Sequence, residues 1–95
     1  MDTKQRTLLK SKAQVIEPAV FVGKEGITEP VIVTLKEALR ARELVKISVQ
    51  ESVGETLDDI ALKLSRKTQS EIVQTIGRKI VLYKKTDKRG FVHLV

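Results

Sequence analysis

The sequence has no cysteine and one histidine, His93. The first absence excludes disulfides and thiolate metal sites. The second leaves no imidazole cluster for a metal, so no metal and no cofactor is expected. No apolar run approaches the ~20 residues that a membrane span needs. The polar start, Met1 to Arg6, leads into no signal-peptide apolar segment, and a cytoplasmic location is expected. Catalytic patterns are missing too: there is no Gly-x-Ser-x-Gly, His-Glu-x-x-His or P-loop. His93 stands two residues from the end, and the carboxylates sit mostly at helix starts or on polar helix faces. An enzyme is not expected. A small hydrolase built from scattered carboxylates would need a site that no motif marks.

The chain has 95 residues, 41% apolar and 32% charged, which suits one soluble domain, residues 1–95, with a core of Ile, Val, Leu and Ala. Its net charge of +6 is unevenly spread. Residues 1–24 carry +3, residues 25–76 carry −2, and residues 77–95 carry +5. A basic excess gathered on one surface draws polyanions, chiefly nucleic acid or an acidic membrane face. Charge spread evenly would serve only solubility.

The patterning predicts seven elements. Thr3 to Ala13 reads as a helix with Leu9, Ala13 and Ile16 on one side. Ala19-Val20-Phe21-Val22 is a short apolar run, expected as a strand buried on both faces with Phe21 in the core. Thr28 is an N-cap with Glu29 and Pro30 in the first turn of a helix to about Arg42, whose stripe is Val31, Leu35, Ala38 and Leu39. Val33 falls off that stripe. Leu44 to Gln50 alternates as a strand. Ser52 and Glu55 have capping-box spacing before a helix with Leu57, Ile60, Ala61 and Leu64 inward. Glu71 to Ile76 and Lys79 to Lys84 are strands joined by Gly77-Arg78, which fits a type II′ hairpin. The tail, 86–95, has no assignment. The order α-β-α-β-α-β-β predicts a two-layer α+β domain with a four-stranded mixed sheet. Strands joined through helices should be parallel.

Gly23-Lys24-Glu25-Gly26 leaves a strand and enters a helix. Such a loop brings backbone N–H groups close to a phosphate, because glycine places no side chain in the way. It serves equally as an ordinary strand-to-helix turn. Glu25 opposes Lys24, so further cations are needed. If the first and third strands are parallel, Arg78 and Lys79 share the loop's edge of the sheet. If the first helix runs antiparallel to the strand it precedes, Lys4 and Arg6 reach that edge as well. Lys10, Lys12 and Lys46 are weaker candidates, and Lys84 and Lys85 belong at the opposite edge. Phe21, Tyr83 and Phe91 are the only aromatics, so no stacking platform of the RRM kind is expected and backbone contacts should dominate.

The chain resembles the YhbY-like proteins, bacterial stand-alone members of the CRM-domain family. The matching stretches are Leu9-Lys10-Ser11-Lys12-Ala13, Val22 to Thr28, Ala38-Leu39, Glu43 to Ile47 and Val73 to Tyr83. The resemblance implies a fold like the C-terminal domain of translation initiation factor three, with strand order 1-2-4-3 and the last strand antiparallel. It implies RNA contact at the Gly-x-x-Gly loop, here Gly23, Lys24 and Gly26. It also implies ribosomal RNA or its precursor as partner and a role in large-subunit assembly. The expected actor is a monomer without membrane contact. The rival expectation is a protein-interaction module that docks on a ribosomal protein or assembly factor.

Overall fold

The computed structural model describes residues 1–51 and 54–95. Helix α1 spans Thr3–Ala13 and is closed by a capping box. Asp2 accepts from the Gln5 N–H at 2.8 Å, and Gln5 Oε1 accepts from the Asp2 N–H at 3.1 Å. Strand β1 is Val20–Val22 and strand β2 is Leu44–Val49. Between them lies α2, Glu29–Arg42, capped by Thr28 Oγ1, which accepts from the Val31 N–H. Helix α3 is Leu57–Thr68. Its cap is Thr56, whose Oγ1 accepts from the Asp59 N–H at 3.1 Å. The Ser52–Glu55 capping box involves Ser52, which lies outside the described residues. Strands β3, Glu71–Ile76, and β4, Lys79–Tyr83, form the closing hairpin. Gly77 in its turn has φ +59° while Arg78 stays out of the positive region, the signs that a type II′ turn requires.

The sheet order is β1-β2-β4-β3. β1 and β2 are parallel, and β4 is antiparallel to both β2 and β3. The strands β1, β2 and β3 therefore end at one edge of the sheet, and β4 ends at the other. The α+β class, the element order and the mixed sheet match the sequence reading. The helices, however, cover both faces of the sheet, adding a partial third layer to the expected two. α2 and α3 pack on Val20, Val22, Val45, Ile47, Val49, Ile80 and Leu82. The alternate residues Leu44, Val73, Val81 and Tyr83 face the other way and meet Leu9 and Ala13 of α1.

That second layer is incomplete. Phe21, expected in the core, is 67% exposed. Val20 and Val22 point into the α2–α3 core, so alternation sends Phe21 to the face that α1 covers only in part. Val33 is exposed as well, on the outer side of α2.

The tail is docked. Its anchor is Glu43, a fully buried carboxylate at the α2–β2 junction. Glu43 accepts from the Thr86 N–H at 2.8 Å and the Leu94 N–H at 3.2 Å, and it pairs with His93 Nδ1. Leu94 and Val95 then pack with Met1 and Ile16 against the α1 side of the core.

Candidate nucleic-acid interface

The Gly23–Gly26 loop is a closed turn at the edge where β1, β2 and β3 end. The Gly26 N–H donates to the Gly23 carbonyl at 2.9 Å, and the Gln50 N–H donates to the Val22 carbonyl at 2.9 Å. Gly26 has φ +76°, a conformation that costs other residues strain. Gly23 is freer: a β-carbon there would meet Gln50 Oε1 at 3.5 Å, an ordinary contact. Lys24 and Glu25 are exposed at its tip. The loop thus offers close backbone approach and one mobile cation beside one carboxylate.

Arg78 reaches this edge, as the parallel strands dictate. Its Nε donates to the Val49 carbonyl at 3.2 Å and its Nη2 to the Gln50 carbonyl at 2.8 Å. The guanidinium is thereby a staple on the end of β2. Lys79 is half-buried and stands opposite Ser48 and Ile76 on the α1 side of the sheet.

Lys4 and Arg6 do not reach the loop. The Met1 amino group lies 3.5 Å from Glu71, at the start of β3. The Arg6 guanidinium donates to the Ile72 and Val73 carbonyls, where a bulge in β3 turns backbone oxygens outward. The helix lies across the strands instead of antiparallel along β1. Its far end brings Lys12 and Ile16 beside Ala19, Arg42 and Leu44, at the starts of β1 and β2. Both ends of α1 therefore belong to the edge opposite the loop. Lys4, Lys10 and Lys12 are exposed there.

The charges separate accordingly. Around the loop edge, Lys24, Arg78 and Lys79 stand with Glu25, Glu29, Glu51, Glu55, Asp58 and Asp59, an acidic excess. The opposite end gathers Lys4, Arg6, Lys10, Lys12, Arg40, Arg42, Lys46, Arg66, Lys67, Lys84, Lys85, Lys88 and Arg89. Its side-chain carboxylates are Asp2, Glu17, Glu71, Asp87 and the buried Glu43. The expected convergence on the loop holds for Arg78 and Lys79 and fails for Lys4 and Arg6, because α1 docks at the far edge. Part of that charge answers the C-terminal ends of α2 and α3. Lys84 Nζ, for example, donates to the Thr68 carbonyl at 3.0 Å, closing α3, while Arg40 sits 3.8 Å from Asp87. Most of the remaining cations point to solvent.

The buried Glu43 carboxyl is shifted. Burial alone would raise its pKa. The hydrogen bonds from Thr86, His93 and Leu94, with the His93 charge, outweigh burial and hold it below the ordinary carboxylate range. Burial, then the charges of Glu43 and Glu71, push the Tyr83 phenol up. Among the described residues no group of three or more His, Asp or Glu is placed to hold a metal. No helix among them is long and apolar enough to cross a membrane.

A three-helix, four-stranded α+β domain with a Gly-x-x-Gly loop at one sheet edge and a cationic surface at the other belongs to a defined class of small domains. Residues 1–84 match the CRS1/YhbY (CRM) domain model, and the chain belongs to that family. It is 42% identical over 91 residues to a Bacillus subtilis protein named "Probable RNA-binding protein YqeI", covering 96% of this chain and 95% of that one. It is 36% identical over 88 residues to a Haemophilus influenzae protein named "RNA-binding protein", covering 93% and 89%. The solution structure of the hypothetical protein SAV1595 from Staphylococcus aureus superposes with a TM-score of 0.81 at 36% identity, over 94% of this chain and 93% of that one.

Proposed function

We propose that this protein binds RNA without catalysing a reaction. Its partner is ribosomal RNA or a precursor of it, within an assembling large ribosomal subunit in the cytoplasm, and it acts as a monomer. The observation that carries the reading is the sorting of charge: most of the exposed cations collect on one end of the fold, as a phosphate-binding surface requires. The names of the relatives support RNA as the partner.

In this reading the interface has two parts. Gly23, Lys24 and Gly26 admit the RNA backbone at the loop, and Lys79 adds a cation beside it. Lys4, Lys10 and Lys12 belong with the larger basic end. Arg6 and Arg78 act mainly by holding β3 and β2 in place, since their guanidinium groups are engaged by backbone carbonyls. Backbone contacts of this type set register and affinity but read little sequence.

The test is binding to large-subunit ribosomal RNA, with association to precursor particles assayed before and after nuclease treatment. RNA binding and nuclease-sensitive particle association are expected. Particle association that survives nuclease, with no affinity for naked RNA, would identify a docking module for a ribosomal protein or assembly factor instead.

A further inference from the structure

The α1 side of the sheet holds a row of residues that no helix among the described residues covers. Phe21 stands opposite Ser48, Ser48 opposite Lys79, and Lys79 opposite Ile76, so the row crosses all four strands. Its two outer members are large and apolar, and both are open to solvent: Phe21 is 67% exposed and Ile76 63%. Between them lie the hydroxyl of Ser48 and the ammonium stem of Lys79, both half-buried. Lys46 is the next residue of β2 on the same side. With strands ~4.8 Å apart, the row is about 14 Å long. Leu9 and Ala13 pack over the neighbouring rows, on Leu44, Val73, Val81 and Tyr83, and leave this one bare.

We propose that this row is a stacking site for unpaired RNA bases, a reading that rests on the proposed RNA binding. The aromatic face of Phe21 offers a sequence-tolerant surface for a base. Lys79 and Lys46 beside it match the phosphates that accompany stacked bases. The row is also continuous with the loop, because Gly23 follows Phe21 by two residues and the loop leaves the same strand. A backbone held at Gly23–Gly26 would present its bases to the sheet. A double helix, with its bases already stacked, gains nothing from such a surface. The site therefore favours single strands.

The experiment compares wild type with F21A and F21W on a single-stranded oligouridine and on an RNA duplex of equal length. Both substitutions fall on an exposed side chain, and thermal unfolding checks that the fold is kept. F21A should weaken single-strand binding about tenfold and leave duplex binding unchanged. Its log–log salt slope should equal that of wild type, because stacking releases no counterions. The chain has no tryptophan, so F21W is a lone reporter. Its fluorescence should be quenched by the oligouridine and not by the duplex. Wild-type RNA binding with unchanged F21A affinity and no F21W quenching would overturn the stacking site and leave RNA binding intact. Absence of any wild-type RNA binding would overturn both. Self-association that F21A abolishes, with RNA affinity unchanged, would assign the row to a second copy of the chain and likewise overturn the proposal.

Discussion

Glu43 ties the α2–β2 junction to β4 and the tail. Its backbone has φ +65°, outside helix and strand, where a residue other than glycine costs of order 1–3 kcal/mol. Its carbonyl accepts from the Lys84 N–H at 3.0 Å, and its carboxylate holds Thr86, His93 and Leu94. Glu43→Ala would strand the buried Thr86 N–H and free the half-buried contacts to His93 and Leu94, and urea unfolding should show a loss of about 1–3 kcal/mol. The same group makes stability depend on pH. Its folded pKa lies below the ordinary carboxylate value, so its contribution is complete above that value. It is lost as pH falls through the lowered folded value. Acid titration of unfolding should show this component in wild type and lack it in Glu43→Ala. Gly26 presents a separate case. At φ +76° with open space around it, Gly26→Ala should cost about 1 kcal/mol through backbone strain alone. A thermal melt with no loss would contradict the turn as described.

At the scale of elements, most of the fold is legible in the sequence because its signals are local. Thr28 and Pro30 announce α2, Gly77 marks the hairpin, and the stripe of Leu57, Ile60, Ala61 and Leu64 declares a core face. The docking of the tail is not legible. Its partner Glu43 lies between 43 and 51 residues away, and a lone carboxylate before a strand looks like any solvated one. Phe21 misleads for a related reason. A four-residue apolar run reads the same whether one sheet face is covered or two, and coverage depends on where α1 lands. There Leu9 and Ala13 pack on β2, β3 and β4 while Arg6 meets the β3 bulge and Met1 lies beside Glu71, pairings that local periodicity does not encode. The docked tail yields a test. Deleting residues 91–95 removes His93 and the Leu94 N–H from Glu43 and uncovers the apolar cluster around Met1 and Ile16. The truncated protein should melt at a lower temperature, and its α1 amides should exchange hydrogen faster than those of α3. Equal exchange in wild type and truncated protein would mean that the tail does not brace α1.

For the whole molecule, the distribution of charge matters more than its total. The net +6 conceals an acidic excess around the Gly-x-x-Gly loop and a larger basic excess at the far end. An α1 antiparallel to β1, as the sequence suggests, would put Lys4 and Arg6 beside the loop; the crossing that α1 adopts puts them at the far edge. Loop geometry and electrostatic attraction are thereby separated in space. RNA bound by this fold would take most of its salt-dependent affinity from the basic end and its backbone placement from the loop. One measurement tests that division directly: binding to large-subunit ribosomal RNA across a salt series for wild type, K24A and the combined variant K12A/R42A/K85A, three exposed cations of the basic end. Each single-strand phosphate that a variant no longer neutralises should flatten the log–log slope by about 0.7. Under that division the combined variant should bind more weakly with a markedly shallower slope, and K24A should change the slope by about one phosphate. A combined variant that binds with the wild-type slope would contradict it.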